Sequence, residues 1–463
     1  THIPKRLEIK LDYDLVHGEI GEQAASGFVA FNLISMSRTS GVYDSSLFVI
    51  VSLDGRIVKV FNTFELQEKD THFCAMKLRD PHTFLLGGDV NTSESGTTHL
   101  LKWKEGTFTT LENGTSTNCH DSQWSYSGDH IWQPGDKDKA TLEMASATTG
   151  EKIKKVSLSP FAQDINHAQL IGHDTQAVVS SRLTDALIKV DMEQGEIMWV
   201  GSGPAGQLEL ITLEGEILAN GSSLFSGQHN AEYFGENEYM IFDNQYDTMT
   251  GNGTGNPSRL LVVHVDETKK RMTERWSFSF HKNPWGYSSA FGDNDRLPTG
   301  NLLASFWPKV KSGTNYEDVT YDCRASEIDR SSSRIAWEVK IHGNYKNALC
   351  EEQFCGRGID VGWRMYSVER FYETPLVHNA RCDAKNMTIS FVAHSSFKRN
   401  NEDPGSYSLT NMMGMPISSG IFNFSAHWRP AYVSFGFSSS ALSLILSVAN
   451  EWGETKSTHL TCA

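Results

Sequence analysis

The sequence predicts an all-β fold: a six-bladed β-propeller followed by a small immunoglobulin-like β-sandwich. Helical periodicity is hard to find, and short alternating apolar runs are bounded by Gly, Asn, Asp and Ser. Regularly spaced short strands of this kind are typical of sandwiches, barrels and propellers. A strand–turn–strand unit also recurs. The recurrence favours the propeller, because a unit that cannot bury its own faces is stabilised by stacking around an axis.

The repeated unit is most complete at Asp191–Trp199, which reads Asp-x-x-x-Gly-Glu-Ile-x-Trp. The clearest apolar runs, which we interpret as strands, are at 47–53, 57–61, 177–181, 186–190 and 260–265. Six turns follow one such strand and precede another: Asp54–Gly55–Arg56, Lys104–Glu105–Gly106, Thr149–Gly150–Glu151, Gln194–Gly195–Glu196, Glu267–Thr268–Lys269 and Arg330–Ser331–Ser332. Six turns predict about six blades.

The pattern changes after about Tyr372. The later alternating runs, joined by Asn-, Gly-, Pro- and Ser-rich loops, are Met387–Val392, Gly420–His427, Ala431–Phe437 and Leu442–Val448. Their number and spacing fit a small β-sandwich. The sequence therefore predicts a propeller domain at 1–371 and a sandwich domain at 372–463. A chain of 463 residues is also longer than a single core usually supports.

The charge of the chain disfavours two classes of partner. A formal net charge of −15 argues against nucleic acid, whose phosphates need clustered Lys and Arg, and against electrostatic adhesion to anionic membranes. No apolar run is long enough to predict a membrane span. The uncharged stretch 431–450 contains six serines and alternates with a period of two, which predicts a hairpin.

Several features predict a secreted or extracellular glycoprotein. The chain begins at Thr1, as expected of a processed mature form, and its seven cysteines fit an oxidising compartment. Cys350 and Cys355 are close enough to clip a loop, and Cys382 with Cys462 would tie the first and last strands of the terminal domain. Six Asn-x-Ser/Thr sequons predict glycosylation at Asn91, Asn113, Asn220, Asn252, Asn386 and Asn423.

Three histidines enter at the same phase of the repeat. His120 precedes a strand predicted at Trp124–Trp132, His167 ends a loop, and His229 follows the Gly/Ser-rich stretch 221–227. Each position is roughly where an innermost strand begins, so the three rings are expected to converge on the axis. Imidazoles placed there can act as nucleophile or base near neutral pH. Taken singly, each histidine also fits a hydrogen-bonded structural role.

Charged residues accompany the histidines. Arg182 follows two serines, and an arginine beside imidazoles suits a tetrahedral oxyanion such as sulfate, because the guanidinium fork binds two oxygens at once. Asp243 and Asp293 either fix the tautomers of the rings or cap turns between strands. Neither the cysteine nor the histidine spacing matches a metal motif, so no metal is expected.

Several motifs within residues 40–345 resemble the arylsulfotransferase family. They are Asn166–His167, Ser180–Ser181–Arg182, Lys189–Trp199, Gln228–His229, Phe242–Asp243–Asn244 and Arg296–Leu297–Pro298–x–Gly300–Asn301. Two terminal motifs resemble the β-sandwich appended to eukaryotic members: Phe424–x–x–His427–Trp428–Arg429 and Asn450–Glu451–Trp452–Gly453.

The resemblance implies transfer of a sulfuryl group from an aryl sulfate to a phenolic acceptor. The transfer would use a histidine intermediate and neither a nucleotide sulfate donor nor another cofactor. The implied catalytic candidates are His229, His167, His120 and His281, and the implied substrate-binding residues are Arg182, Asn244 and Arg296. His281 is included because bacterial members carry the nucleophile in a later blade, where His281 is the available ring.

One departure from the family leaves a second function open. The family often places an arginine a few residues beyond Phe-Asp-Asn, where this chain has Gln245–Tyr246–Asp247. A carboxylate there would repel an anionic donor unless a nearby arginine compensates. The alternative is a catalytically inactive propeller that serves as a secreted binding or structural glycoprotein, in a homo-oligomer or another extracellular assembly.

Overall fold

In the computed structural model the chain is all-β, with 58% strand and 4% helix. The structure describes residues 7–37, 43–63, 71–90, 96–116, 120–135, 140–247, 250, 252–279, 287–306, 309–311, 320–321, 323–342, 360–438 and 442–462. Helices within these ranges are α1 (Tyr13–His17) and the 3-10 helices Gly21–Ser26 and Ala426–Trp428. None of these helices is both long and apolar enough to cross a membrane.

The strands up to residue 200 are β1 (Leu7–Leu11), β2 (Phe28–Ser37), β3 (Tyr43–Ser52), β4 (Ile57–Asn62), β5 (Thr71–Asp80), β6 (Thr83–Val90), β7 (Gly96–Lys102), β8 (Thr107–Ser116), β9 (Gln123–Trp124), β10 (His130–Pro134), β11 (Thr141–Ser146), β12 (Lys152–Ser157), β13 (Ile165–Ile171), β14 (Gln176–Ser181), β15 (Ala186–Asp191) and β16 (Glu196–Val200). The strands from there to residue 371 are β17 (Glu209–Ile211), β18 (His229–Tyr233), β19 (Glu238–Asp243), β20 (Tyr246–Asp247), β21 (Asn252–Gly253), β22 (Arg259–Asp266), β23 (Arg271–Ser279), β24 (Asn294–Arg296), β25 (Leu302–Phe306), β26 (Lys309–Lys311), β27 (Thr320–Tyr321), β28 (Cys323–Asp329), β29 (Arg334–Ile341), β30 (Asp360–Arg364) and β31 (Val368–Phe371). The last strands are β32 (Leu376–Asp383), β33 (Thr388–His394), β34 (Asp403–Asn411), β35 (Pro416–Phe424), β36 (Ala431–Gly436), β37 (Ser443–Asn450) and β38 (Thr455–Thr461).

Among the described residues, six sheets of four or more strands precede residue 372. Three sheets are built from consecutive strands: β5-β6-β7-β8, β9-β10-β11-β12 and β13-β14-β15-β16. A fourth has the order β18-β19-β22-β23, with β17 added in parallel to β23. The other two are β24-β25-β28-β29-β1 and β26-β27-β30-β2-β3-β4, the latter with β31 also paired to β2.

Each of the six turns predicted from the sequence joins two consecutive strands of a different one of these sheets: the third and fourth strands in five sheets, and β3 and β4, the last two strands, in the sixth. In four of the turns a glycine has a positive φ, with values of 88° at Gly55, 73° at Gly106, 68° at Gly150 and 73° at Gly195. Glycine adopts this conformation at low cost because it has no Cβ. The recurrent turn therefore marks the outer hairpin of each sheet.

The prediction of a single strand at Trp124–Trp132 is wrong, because the chain turns in the middle of this range. The structure has two short strands there, β9 and β10, joined by a turn at 125–129. The turn contains Gly128 at φ 74°, whose amide donates to the carbonyl of Ser125 at 3.0 Å. Ser, Gly and Asp in this stretch favour a turn over a continuous strand.

Strands from the two ends of the 7–371 region share sheets. β1 pairs antiparallel with β29, with Leu7 opposite Ile341. β2 pairs with β31, with Phe28 opposite Phe371. The last residues of this region thus complete sheets that the first residues begin.

Polar contacts link each sheet to the next, from the sheet that contains β9 to the sheet that contains β5. The linking hydrogen bonds run from Ala168 N to Asp121 Oδ2 (2.9 Å), Asn166 Nδ2 to Gln228 O (2.6 Å), Asn294 Nδ2 to Asn230 O (3.1 Å), Val368 N to Asp293 Oδ2 (3.0 Å) and Ser367 Oγ to Cys74 O (2.8 Å). These hydrogen bonds hold the first residues of the strands together around one buried group of polar residues.

Two sheets follow residue 375, in the orders β32-β33-β36 and β35-β34-β37-β38. They share one apolar core, in which Ile389 and Phe391 of β33 cluster with Leu409 of β34 and Leu444 of β37. The predicted disulfide between Cys382 and Cys462 is confirmed and joins β32 to the residue after β38. Segment 395–401, between β33 and β34, contacts the preceding sheets: Gln169 Nε2 donates to Asn400 Oδ1 at 3.0 Å.

Other predicted modification sites are only partly described. The sequon asparagines at the surface are Asn220, Asn386 and Asn423. Asn91, Cys350, Cys355 and the side chains of Asn113 and Asn252 lie outside the described residues.

Candidate active site

His120, His167 and His229 belong to three consecutive sheets. His167 lies in β13, His229 is the first residue of β18, and His120 precedes β9. The pairing register of β13 shifts between Ile165 and His167, and that of β18 shifts on the C-terminal side of His229. These bulges lie next to the histidines, where a local twist re-aims a side chain.

His120 and His229 line a single cavity of about 360 Å³. Their ring centroids are 6.3 Å apart, with an interplanar angle of 32°. Arg182, Phe291 and Asp164 line the same cavity. Its volume is within the range of small-molecule sites in proteins, and it combines two imidazoles, a guanidinium and an aromatic ring.

The tautomer of His229 is set by Asn244. The Nδ2 group of Asn244 donates to the carbonyls of Ser288 at 2.8 Å and Phe291 at 2.9 Å, which leaves its Oδ1 atom as an acceptor. His229 Nδ1 lies 2.9 Å from that oxygen and must therefore carry the proton, so Nε2 carries the lone pair. Burial, reinforced by the charges of Arg182 and His120, holds the pKa of His229 well below its usual range. The ring is a neutral imidazole with Nε2 available to react.

Arg182 presents a guanidinium to the cavity. Its Nη1 atom is 3.6 Å from Asp164 Oδ2, and its Nη2 donates to the Ser289 carbonyl at 3.3 Å. The guanidinium carbon lies 4.6 Å from the centroid of the Tyr246 ring, a cation–π distance. The buried Nε atom has no hydrogen-bond partner among the described residues.

Asp243 and Asp293 brace loops and do not hold the imidazoles. Asp243 accepts from the Ser226 amide at 3.0 Å and from Arg259 Nε at 2.9 Å. Asp293 accepts from the amides of Asn294 and Val368, at 2.9 and 3.0 Å. Of the two roles left open by the sequence, these contacts favour loop capping, and it is Asn244 that fixes the His229 ring.

His167 lies behind this cavity and is not among the residues that line it. Its Nε2 atom is 3.3 Å from Glu232 Oε1 and 3.5 Å from Asp121 Oδ2, and its Nδ1 accepts from the Ala231 amide at 3.4 Å. A second cavity, of about 10 Å³, is lined by both His167 and His120. His120 thus lines both the larger cavity and the smaller one, whose other lining residues include the charged Lys77, Asp121 and Asp293.

The remaining predicted residues lie elsewhere. Arg296 faces the Phe234 ring at 5.7 Å and does not line the larger cavity. Burial lowers its pKa, although Glu236 and Glu238 oppose the effect. His281 is outside the described residues. Within the described residues, no three His, Cys, Asp or Glu side chains form a group able to hold a metal ion.

Sequence reasoning missed two aromatic residues beside the imidazoles. The Tyr366 ring lies 6.1 Å from His120 and 6.3 Å from His229, and Phe291 meets His229 edge-on at 6.3 Å. Both residues lie in loops outside the repeated unit, and single loop aromatics carry no periodic signal. Phe291 lines the larger cavity, where its ring can contact an aromatic ligand, whereas Tyr366 lines the smaller one.

Comparison with known proteins agrees with the sequence motifs. The family model described as Arylsulfotransferase (ASST) matches residues 49–350. A search of curated proteins gave no significant match.

Solved structures with low similarity include the β-propeller domain of Cps50 (Swd1) from Myceliophteria thermophila, with 9% identity, a TM-score of 0.36 and coverage of 71% of this chain and 84% of that one. The nidogen/laminin complex gives 10% identity, a TM-score of 0.38 and coverage of 74% and 98%. Dihydro-heme d1 dehydrogenase NirN, in complex with DHE, gives 9% identity, a TM-score of 0.34 and coverage of 67% of this chain. The match spans 58% of the length of NirN.

Proposed function

Because this chain belongs to the arylsulfotransferase family, we propose that it transfers a sulfuryl group from an aryl sulfate to a phenolic acceptor, without a nucleotide sulfate donor. The observation that carries the proposal is the single cavity lined by His120, His229 and Arg182. It brings a nucleophile, a second imidazole and an anion-binding group to one place. Phe291 lines the same cavity and is placed to contact the aromatic ring of the substrate.

His229 is the proposed nucleophile, because its Nε2 lone pair is fixed by the bond from Nδ1 to Asn244. In the first half-reaction Nε2 attacks the sulfur, the N–S bond forms and the S–O bond to the aryl group breaks. The departing phenolate oxygen takes up a proton. The guanidinium of Arg182 binds two sulfuryl oxygens and stabilises the charge that they carry.

In the second half-reaction a phenolic oxygen attacks the sulfur of the sulfuryl-histidine. The new S–O bond forms, the N–S bond breaks, and the phenol loses its proton to a base. His120, 6.3 Å from His229 between ring centroids, is the proposed acid in the first step and base in the second. The reaction requires mainly in-line placement and charge stabilisation, which a rigid cavity supplies.

The family arginine that is missing beyond Phe242–Asp243–Asn244 has a proposed substitute. Tyr246 occupies that stretch, and its ring lies under the guanidinium of Arg182 at 4.6 Å. The contact holds the guanidinium of Arg182, the residue after β14, over the cavity, although the chain has no arginine in the loop itself. Tyr246 thus positions the guanidinium of Arg182, which supplies the positive charge that an arginine in this loop would supply.

We also propose the finer architecture and location that the sequence predicts. The six sheets, their six hairpins and the polar contacts between successive sheets support a six-bladed propeller at 1–371. The two sheets over a shared core support a sandwich at 372–463. The disulfide and the exposed Asn220, Asn386 and Asn423 support a secreted glycoprotein.

The test is sulfuryl transfer from 4-nitrophenyl sulfate to phenol, followed by the colour of the released nitrophenolate. We expect His229→Ala to lower the rate by at least about 10³-fold and Arg182→Ala by about 10² to 10³-fold. His459→Ala, at an exposed position of β38, serves as the control and should match the wild type. Mass spectrometry of a quenched wild-type reaction should find one sulfuryl group on the peptide that carries His229.

A second candidate function is a binding or structural role in an extracellular assembly. The observation that favours it is a set of exposed apolar side chains, of which Met412, Met413 and Met415 lie together in the turn between β34 and β35, with Ile421, Tyr432 and Leu442 elsewhere in the terminal region. Exposed apolar surface of this kind is typical of interaction sites. Absence of turnover with every donor–acceptor pair, together with stable self-assembly, would favour this role over the transferase.

A further inference from the structure

Three methionine side chains are exposed together at the turn that joins β34 to β35. Met412, Met413 and Met415 are 55%, 79% and 53% exposed, and they are three of the thirteen methionines in the chain. Methionine usually fills irregular gaps in a core, where its flexible thioether packs well. None of these three belongs to the apolar core of the terminal sheets, so their concentration on one turn needs a different explanation.

The backbone of this turn is closed by hydrogen bonds. The Asn411 amide donates to the Met415 carbonyl at 3.0 Å, and the Gly414 amide donates to the Asn411 carbonyl at 2.9 Å. Asn411 Oδ1 accepts from the amides of Met413 and Met415, each at 3.0 Å. Gly414 has a φ of 78°, as expected at the last position of a three-residue hairpin loop. The fixed backbone therefore holds the three methionines close to one another.

The chemistry of the three side chains suits a soft metal ion. A thioether is a soft donor, and soft sulfur ligands in proteins select Cu⁺. Each methionine has three rotatable bonds, so sulfurs that start from one tight loop can reach a common point. Residues 409–419 contain no Asp or Glu that would favour a hard ion and no Lys or Arg that would repel a cation.

The alternative is that the turn makes only an apolar contact with another protein. A stable protein interface takes about 20 to 30 residues from each side, and the exposed Ile421, Tyr432 and Leu442 lie outside this turn. Three side chains are few for such an interface, but three donors are enough to bind one ion. The residue type favours the ion as well, because an apolar contact does not require sulfur at every position.

We propose that Met412, Met413 and Met415 form a surface site for one soft monovalent metal ion, Cu⁺, bound through the three thioether sulfurs. The hydrogen bonds of Asn411 keep the three donors on one closed loop. The site belongs to the terminal sheets and shares no residue with the cavity that His229 lines. The inference is therefore independent of the proposed sulfuryl transfer.

The test is titration of the full chain with Ag⁺, a redox-inert ion with the softness and charge of Cu⁺. The protein carries ¹³C-methyl-labelled methionine, and accessible thiols are first blocked with N-ethylmaleimide so that they do not compete. We expect the NMR signals of the three methyl groups to shift together with one common midpoint. The same signals should shift with Cu⁺, kept reduced by ascorbate in the absence of oxygen.

Leucine substitutions remove the sulfur and retain most of the apolar volume. Met412→Leu, Met413→Leu and Met415→Leu should each raise the midpoint of the two remaining signals by at least about tenfold, because loss of even an outer-shell partner of a metal ligand costs about 10- to 100-fold in affinity. All three positions are exposed, so the variants are expected to fold.

Met198 provides the matched control. It is the single methionine of β16 and is 42% exposed, so its thioether can bind Ag⁺ only singly. Its signal should shift at an Ag⁺ concentration at least about 100-fold higher than the common midpoint, because linked donors gain by effective concentration. Met198→Leu should leave the common midpoint at the wild-type value.

Three methyl signals with separate midpoints, or with the midpoint of Met198, would overturn the site. Leucine variants whose remaining signals keep the wild-type midpoint would also overturn it and indicate a turn that serves only as an apolar contact. A response to Ag⁺ without a response to Cu⁺ would overturn the assignment to copper. A common midpoint that each of the three leucine substitutions raises, with both ions, supports the proposal.

Discussion

The side-chain amide of Asn244 decides which nitrogen of His229 can react. Its two donor contacts to Ser288 and Phe291 prevent the amide from turning, and its oxygen therefore always faces Nδ1. A histidine freed from such a bond exchanges tautomers and loses its orientation. The Asn244 side chain thus acts on the proposed reaction without touching the transferred group.

We expect Asn244→Ala to lower kcat by about 10²-fold and to change KM little, because the variant loses ring orientation rather than substrate binding. The measurement is steady-state kinetics with 4-nitrophenyl sulfate. Gln245→Ala is the neighbouring control, since the Gln245 amide bonds to Asp243 and not to the ring. A rise in KM with unchanged kcat would contradict this role and indicate direct contact with substrate.

At the scale of single residues, the sequence predicted which residues lie at the site better than it predicted which residues they contact. The shared phase of three histidines anticipated that His120 and His229 would line one cavity. It could not anticipate that His167 would turn to Glu232 instead, because Glu232 is one of many charged residues and nothing in its local pattern marks it. The bond between Asn244 Oδ1 and the His229 ring was not predicted either, and substrate binding by Asn244 stays a prediction.

The turn between β14 and β15 supports the loop that leads into β18. Asp185 in this turn accepts from the amide of Gly227 at 2.7 Å, two residues before His229. Burial raises the pKa of Asp185 to about 6, with help from the charges of Asp243 and Asp247. A turn in one sheet thereby positions the first strand of the next.

This contact makes a prediction about stability and pH. A raised carboxyl pKa means that Asp185 contributes stability fully below its unfolded value near 3.9 and loses that contribution as pH rises through about 6. Asp185→Asn cannot titrate. The free energy of unfolding of the variant, relative to the wild type, should therefore rise by about 1 to 2 kcal/mol between pH 4 and pH 8, after allowance for solvent screening.

Urea denaturation of both proteins at the two pH values measures this difference, because the titration of shared groups cancels. A relative free energy that stays constant with pH would show that Asp185 has the same proton affinity in the folded and unfolded states. A fall would show that its carboxylate is stabilised by folding.

Elements marked by turn chemistry were predictable, and elements marked by distant pairing were not. The six hairpin turns were found because Gly, Asp and Ser act locally on the backbone. Strand β1 pairs with β29, which lies far along the chain. No local pattern in either strand indicates this pairing. The turn at Gly128 was not predicted, because Trp124 on one side and Trp132 on the other suggested one continuous strand.

In the whole molecule the terminal sheets and the preceding six form one connected structure. In segment 395–401, Lys398 Nζ lies 2.7 Å from Oε1 of the buried Glu232. Arg429 also pairs with Glu236 at 3.0 Å. The change of pattern in the sequence predicts a division at residue 371. The buried position of Lys398 was not predictable from the sequence, since a lysine in a polar loop is usually exposed to solvent.

The disulfide of the terminal sheets gives a prediction at this scale. Cys382 and Cys462 are separated by 80 residues, so the bond closes most of the terminal region into a loop. Cys382→Ala/Cys462→Ala should lower the free energy of unfolding by about 3 kcal/mol. Guanidinium denaturation measures the change, and a loss below about 1 kcal/mol would show that the apolar core between the two sheets holds this region without the bond.

The pairing of β1 with β29 and of β2 with β31 also sets an order of events during synthesis. A chain that leaves the ribosome from its beginning presents β1 and β2 long before their partners have been translated. The sheet that begins with β2, β3 and β4 therefore keeps an open edge until residue 371 has emerged, and β1 waits for β29. Exposed edges of this kind recruit other strands, so the incomplete chain carries an aggregation hazard that the last strands of this region remove.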